Sequence, residues 1–112
     1  MNRYKLFKAG VDVNKGLERV GGSREFYEAL LEKFCEDGHF AEMERAMKQG
    51  DTRQAFQCAH ALKGAAGNLS FCRLYESLIP LVEALRTENM EEAHSLLGEV
   101  EAAYSAVIEA LQ

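Results

Sequence analysis

The chain has 112 residues and a formal net charge of −5, from thirteen Lys and Arg against eighteen Asp and Glu. This length suits one domain, so residues 1–112 are treated as a single unit. The negative charge disfavours nucleic acid and anionic lipid as partners, because both require cationic patches. No apolar run reaches the roughly 20 residues of a transmembrane helix, and Met1–Gly10 lacks the apolar region of a secretory signal. We therefore expect a cytoplasmic protein that binds neither nucleic acid nor membrane.

The three cysteines, Cys35, Cys58 and Cys72, contain no CxxC pair and suit a reducing compartment. We expect them to be small buried apolar residues. Cys35 and His39 are the only local pair at a metal-ligand spacing, and a structural zinc site needs four ligands. We expect no metal site.

Helix-forming residues dominate the composition, and the first elements follow from caps and apolar spacing. Asp12–Arg19 predicts a short helix over one end of the fold. Ser23 is placed to cap a longer helix, whose apolar pattern continues to a stop at Gly50. Asp37-Gly38 marks either a break in this helix or a site absorbed within it, and the spacing leaves both open. Its predicted buried face begins with these residues: Phe26, Tyr27, Leu30, Leu31 and Phe34.

Three more helices follow in the second half of the chain. Asp51 with Gln54 resembles a capping box that opens a helix to about Asn68-Leu69. The next spans roughly Phe71 to Thr87, with a kink expected at its internal Pro80. Asn89 with Glu92 opens the last helix. Short connections between such helices predict an all-α, antiparallel up-down-up-down four-helix bundle with a short extra N-terminal helix.

The helix that begins after Asp51 has two different sides on a helical wheel. At about 100° per residue, its apolar residues form one arc wide enough to pack into a bundle. The apolar residues are Ala55, Cys58, Ala59, Leu62, Ala65, Ala66 and Leu69. His60 lies at the centre of the opposite side, which should face solvent.

Residues around His60 are difficult to explain by stability alone. Gly64 and Gly67 each destabilise a helix interior by about 0.5–1 kcal/mol relative to Ala. Because they lie away from the core, we expect them to admit a large partner to the backbone beside His60, rather than to serve packing inside the domain. Phe56 and Gln57, on the same exposed side, are candidates for partner docking. Lys63 is placed to stabilise an anion attached to the imidazole.

Simpler interpretations of these residues remain open. His60 could be an ordinary solvated histidine, and Lys63 an ordinary exposed lysine. We expect His39 and His94 to be surface residues. The side bearing His60 carries no orienting Asp or Glu and is convex, so an enzyme that works alone, such as a hydrolase or metalloenzyme, is disfavoured. A helical module that docks a regulatory partner through this surface, without phosphorylation, is the main alternative.

The run from Ala59 to Leu69 resembles the signature of histidine-containing phosphotransfer domains. The upstream Phe26 to Phe34 pattern, Gly50-Asp51 and the all-helical plan extend the resemblance from about Val11 to the end. It implies a bundle whose exposed histidine takes a phosphoryl group from the aspartate of one receiver domain and passes it to another. It also favours one continuous helix from Ser23 to Gln49.

By this resemblance His60 is the phosphorylated residue, Lys63 the neighbouring cation and Gly64 the small residue that admits the receiver, while Gly67 matches another small position. The implied partners are response-regulator receiver domains or a hybrid histidine kinase, and the protein itself is a monomeric carrier without kinase or hydrolase activity. No intrinsic cofactor is implied, since the Mg²⁺ belongs to the receiver.

Two departures from the family pattern are local. Ser70 stands where glycine is common, and Pro80-Leu81-Val82 stands where a Leu-Glu pair is frequent. Neither touches His60.

Overall fold

The computed structural model describes all 112 residues, as seven helices and no strand. The helices are α1 Arg3–Lys8, α2 Val13–Arg19, α3 Arg24–Cys35, α4 His39–Lys48, α5 Thr52–Asn68, α6 Cys72–Arg86 and α7 Met90–Leu111. Helix α5 packs against α4 and α6, α6 packs against α7, and α7 returns to α3. With α3 and α4 together forming one leg, this is the predicted helical bundle. None of its helices combines the length and apolar character needed to cross a bilayer.

Side-chain caps start four of the helices where the sequence predicts them. Asp12, Ser23, Asp51 and Asn89 each accept a hydrogen bond from the backbone N–H three residues later. Such caps satisfy donors that the first helical turn leaves unpaired. The box at Asp51 is only half formed, because the Gln54 amide points along the helix to the Cys58 sulfur.

The continuous helix from Ser23 to Gln49 that the family resemblance favours does not form, and the break that the spacing left open is present. Helix α3 ends at Cys35, and α4 begins only at His39. Asp37 explains the break, because its Oδ1 accepts from the His39 backbone N–H at 2.8 Å and contacts the ring Nδ1 at 2.7 Å. A side chain that bonds the backbone locally competes with the helical ladder. His39 is therefore half-buried and engaged at the start of α4, whereas His94 is exposed as expected.

One apolar core of 27 buried residues runs through the molecule. On α6 the residues that face it are Leu74, Leu78, Leu81, Val82 and Leu85, and all five are buried. The prediction for α3 fails at one position, since Phe26 is 54% exposed.

The cysteines differ from the expectation that all three are buried. Only Cys58 lies in the core, where burial raises the pKa of its thiol. Cys35 and Cys72 are exposed, because each lies at an end of its helix, outside the apolar stripe.

The N-terminal segment is fixed to the turn between α5 and α6. Val11 forms an isolated antiparallel bridge with Phe71, and the Asp12 N–H donates to the Ser70 carbonyl at 2.9 Å. Val13–Arg19 confirms the predicted short helix, whereas α1 has no counterpart in the sequence prediction. Helix α1 has only six residues, of which Leu6 alone is buried, so it is too short to show a helical period in the sequence.

The two departures from the family pattern are accommodated locally. Ser70 adopts a left-handed conformation (φ 61°), which glycine adopts without strain and which explains the preference for glycine there. Its buried hydroxyl has no hydrogen-bond partner among the protein atoms. Helix α6 continues through Pro80, which is exposed. The kink expected at Pro80 stays a prediction.

Candidate functional site

Helix α5 separates its two sides almost as the helical wheel predicts. Ala55, Ala59, Leu62 and Ala66 are fully buried, and His60 is exposed on the opposite side. The Asp51 cap fixes where the helix begins, so the 3.6-residue period then fixes which residues face solvent. The local sequence alone is therefore enough to present the imidazole outward.

Phe56 contacts the imidazole from one turn earlier. The two ring centroids lie 5.7 Å apart, with 29° between the ring planes. Phe56 is half-buried against the core, which corrects the expectation of an exposed aromatic. A ring held on one side by the core limits the motion of the histidine that stacks on it, and both rings remain in reach of a partner. Gln57 is exposed, as expected.

Gly64 and Gly67 occupy different environments, although only three residues separate them. A Cβ at Gly64 would meet no atom within 4 Å, so its surface is open beside His60. A Cβ at Gly67 would lie 3.1 Å from Cε1 of Tyr75 on α6. The argument that neither glycine serves packing inside the domain is therefore wrong for Gly67, which gives room to the Tyr75 ring.

Tyr75 also contacts Lys63. The Lys63 ammonium lies 5.8 Å from the centre of the Tyr75 ring, within the range of a cation–π contact. This contact holds a half-buried lysine on the side of α5 that carries His60. Sequence reasoning missed Tyr75, because a lone half-exposed aromatic on the next helix carries no signal of which residue of α5 it faces.

These residues border a surface depression of about 470 Å³, named here the His60 groove. His60, Lys63, Gly64 and Gly67 line it from α5, and the remaining walls come from α2 and α6. The helical surface is thus concave at this point, because α2 and α6 rise on either side of it. Glu76 of α6 contributes one carboxylate, although the side of α5 itself carries none.

The largest depression, about 650 Å³, lies elsewhere, between the two ends of the chain and α3. It contains no histidine and none of the predicted site residues. The His60 groove is nevertheless the better candidate site, because nucleophile, cation and open approach meet there.

A family model for the Hpt domain matches residues 29–110, which is most of the chain. The protein belongs to the Hpt domain family. Hpt domains are phosphocarrier modules that serve histidine phosphotransfer in phosphorelays, and they are not catalytic enzymes. No curated protein and no solved structure matches the chain. The match begins within α3, so α1 and α2 lie outside it.

Proposed function

We propose that this protein carries phosphoryl groups in a multistep two-component phosphorelay, with His60 as the phosphorylated residue. It accepts the group from the aspartate of one receiver domain and delivers it to the aspartate of another. The observation that supports this most directly is the exposed imidazole of His60 beside the open surface at Gly64. The imidazole needs such access, because the receiver must bring the phosphorus of its aspartyl phosphate to within bonding distance of the ring nitrogen.

The transfer step requires little from this protein beyond position and charge. The unprotonated ring nitrogen of neutral His60 attacks the phosphorus, the N–P bond forms as the bond to the aspartate oxygen breaks, and the aspartate leaves as a carboxylate. The reverse step returns the group to a second aspartate. The receiver supplies Mg²⁺ and an acidic pocket, while this protein needs no cofactor of its own.

The roles of the surrounding residues follow from their contacts. Phe56 stacks on the imidazole and limits its orientations, Gly64 leaves room for the receiver backbone, and Lys63 offsets part of the negative charge of the added group. Gln57 and Gly67 complete the docking surface on α5. We propose that the carrier works as a monomer in the cytoplasm, where receivers are found.

The decisive experiment mixes the wild-type protein and a His60→Gln variant with phosphorylated receiver domains of the same organism. Acid-labile, alkali-stable label is expected on the wild-type protein and not on His60→Gln. His94→Gln is the matched control, because His94 is exposed on another helix and should leave labelling unchanged. Label retained by His60→Gln contradicts the assignment of this residue. No label on wild type from any receiver, with folding confirmed by circular dichroism, favours the phosphorylation-independent docking module.

Lys63 is tested separately from His60. Lys63→Ala should leave the helical content unchanged but slow transfer or shorten the lifetime of phospho-His60, because the offsetting cation is lost. Lys33→Ala, an exposed lysine on α3, removes the same charge and is the control. If transfer rate and phosphohistidine lifetime both equal those of Lys33→Ala, Lys63 has no part in the mechanism.

A further inference from the structure

Two cations of the N-terminal segment reach the His60 groove. Lys15 and Arg19 of α2 line it opposite Lys63 of α5. They stand four residues apart, so they lie on the same side of α2, one turn from each other. The match to the family model begins at residue 29 and does not include this segment.

The position of these cations is fixed by the packing of α2. Gly16 of α2 lies so close to the buried Tyr27 that a Cβ there would come within 2.4 Å of the ring. The Tyr27 hydroxyl in turn donates to the Leu69 carbonyl at 2.7 Å, at the end of α5. Together with the bond from the Asp12 N–H to Ser70, these contacts hold α2 against the end of the helix that carries His60.

The three cations are not neutralised within the protein. The ion pairs of the structure are Arg24 with Glu28, Asp37 with His39, and Glu83 with Arg86. None of these pairs involves a residue of the groove, where Lys15, Arg19 and Lys63 face the single carboxylate of Glu76. Arg19 lies in the last turn of α2, where a cation interacts favourably with the helix dipole, but Lys15 has no such position, and like charges on adjacent turns destabilise a helix slightly.

The charge of the groove is opposite to that of the whole molecule. The chain carries a net charge of −5, which repels an acidic partner at long range. A local cationic rim reverses this repulsion at the one surface where contact is productive, and it fixes the orientation of the approaching partner.

We propose that Lys15 and Arg19 form, with Lys63, a cationic rim that binds the acidic surface around the phosphoryl-accepting aspartate of a receiver domain. The inference rests on the proposed function and adds to it a surface that selects and orients the receiver. The rim acts on encounter and orientation of the receiver, and the transfer of the phosphoryl group within the complex does not depend on Lys15 or Arg19.

The test compares two double charge reversals in the full chain. Lys15→Glu with Arg19→Glu alters the rim, and Lys5→Glu with Lys8→Glu makes the same change in net charge on α1. Lys5 and Lys8 are exposed and lie beside α7, outside the groove. The partner is a receiver domain that accepts the group from wild type. The second-order rate constant of transfer and the rate at saturating receiver are both measured, at low and at high salt.

The rim variant should lower the second-order rate constant by about tenfold or more at low salt, and salt of about 1 M should remove most of this difference. Its rate at saturating receiver should stay within about twofold of wild type, as expected for an effect on encounter. The α1 variant should change the second-order constant far less. Equal effects of the two variants overturn the proposal, because net charge alone would then act. A loss confined to the saturated rate also overturns it.

A small phosphoryl donor separates this proposal from the function itself. Phosphoramidate transfers its phosphoryl group to an imidazole nitrogen and releases ammonia, and it needs no docking surface. The rim variant should still take label on His60 from phosphoramidate, which shows that the histidine remains accessible and reactive. If wild type takes label from phosphoramidate but passes it to no receiver, the proposed function fails and the rim fails with it. If wild type transfers normally and the rim variant transfers to the receiver at the same rate, the proposed function stands and only the role of the rim is rejected.

Discussion

The two sides of helix α5 use small residues for opposite purposes. On the buried side, Ala55, Ala59 and Ala66 are completely covered and let the neighbouring helices approach closely. On the outer side, Gly64 faces open space beside His60. The comparison shows that a small residue in a helix can serve either close packing against a neighbouring helix or the approach of a partner from outside. Only the surroundings of each position tell the two apart.

The largest effect should come from the buried side. Leu62 is completely buried, so Leu62→Ala removes packed methyl groups and leaves a cavity. We expect the free energy of unfolding to fall by about 2–5 kcal/mol, measured by urea denaturation. Gln57→Ala, on the exposed side of the same helix, should stay within about 0.5 kcal/mol of wild type. Similar losses for both variants would contradict the division of α5 into two sides.

The bond from Tyr27 to Leu69 anchors the end of α5 and should respond to pH. Tyr27→Phe should lower the free energy of unfolding by about 1–3 kcal/mol at neutral pH, because it removes a buried hydrogen bond. Burial, and secondarily the charge of Asp12, raises the pKa of Tyr27 to about 12.

A raised pKa means that this stabilisation is complete below pH 10, the ordinary value, and is lost as the pH rises through about 12. The difference in stability between wild type and Tyr27→Phe should therefore shrink over that interval. A difference that stays constant from pH 9 to 12 would show that the phenol ionises equally in the folded and unfolded states.

On the outer side, bulk at Gly64 should affect transfer and leave the fold intact. Gly64→Gln should slow phosphotransfer from a receiver by at least about tenfold, equivalent to about 1.4 kcal/mol in the activation free energy. Gly98→Gln is a matched control, because Gly98 is a helical glycine of α7 that also faces open space. Circular dichroism and transfer rates are measured for both. Normal transfer by Gly64→Gln would remove the close-approach argument.

The smallest effects should distinguish Gly64 from Gly67. Gly64→Ala should raise the free energy of unfolding by about 0.5–1 kcal/mol, since it gains helix propensity without a clash. Gly67→Ala should gain less, because its Cβ would press on Tyr75. Introducing Tyr75→Ala should restore the missing gain. Equal stabilisation by both alanines, without any effect of Tyr75, would show that the contact is too weak to matter.

Local sequence was sufficient wherever the cause is local. The caps at Ser23 and Asp51 and the apolar period of α5 depend on residues within one or two turns of each other. They predicted where helices begin and which side carries His60. The break at Asp37 could not be decided from the sequence, because the apolar spacing fits both a continuous and a broken helix. The hydrogen bonds that the Asp37 side chain forms with His39 decide between them.

The chain by itself determined its helical class, its family signature and the outward position of His60, because helix periodicity and caps act over a few residues. The tertiary structure decided what surrounds that histidine. Tyr75 meets Gly67 and Lys63 only when α6 packs beside α5, and Lys15 and Arg19 reach the groove only because Gly16 lets α2 close on Tyr27. These contacts join residues far apart in the chain, and no local pattern encodes which helices meet.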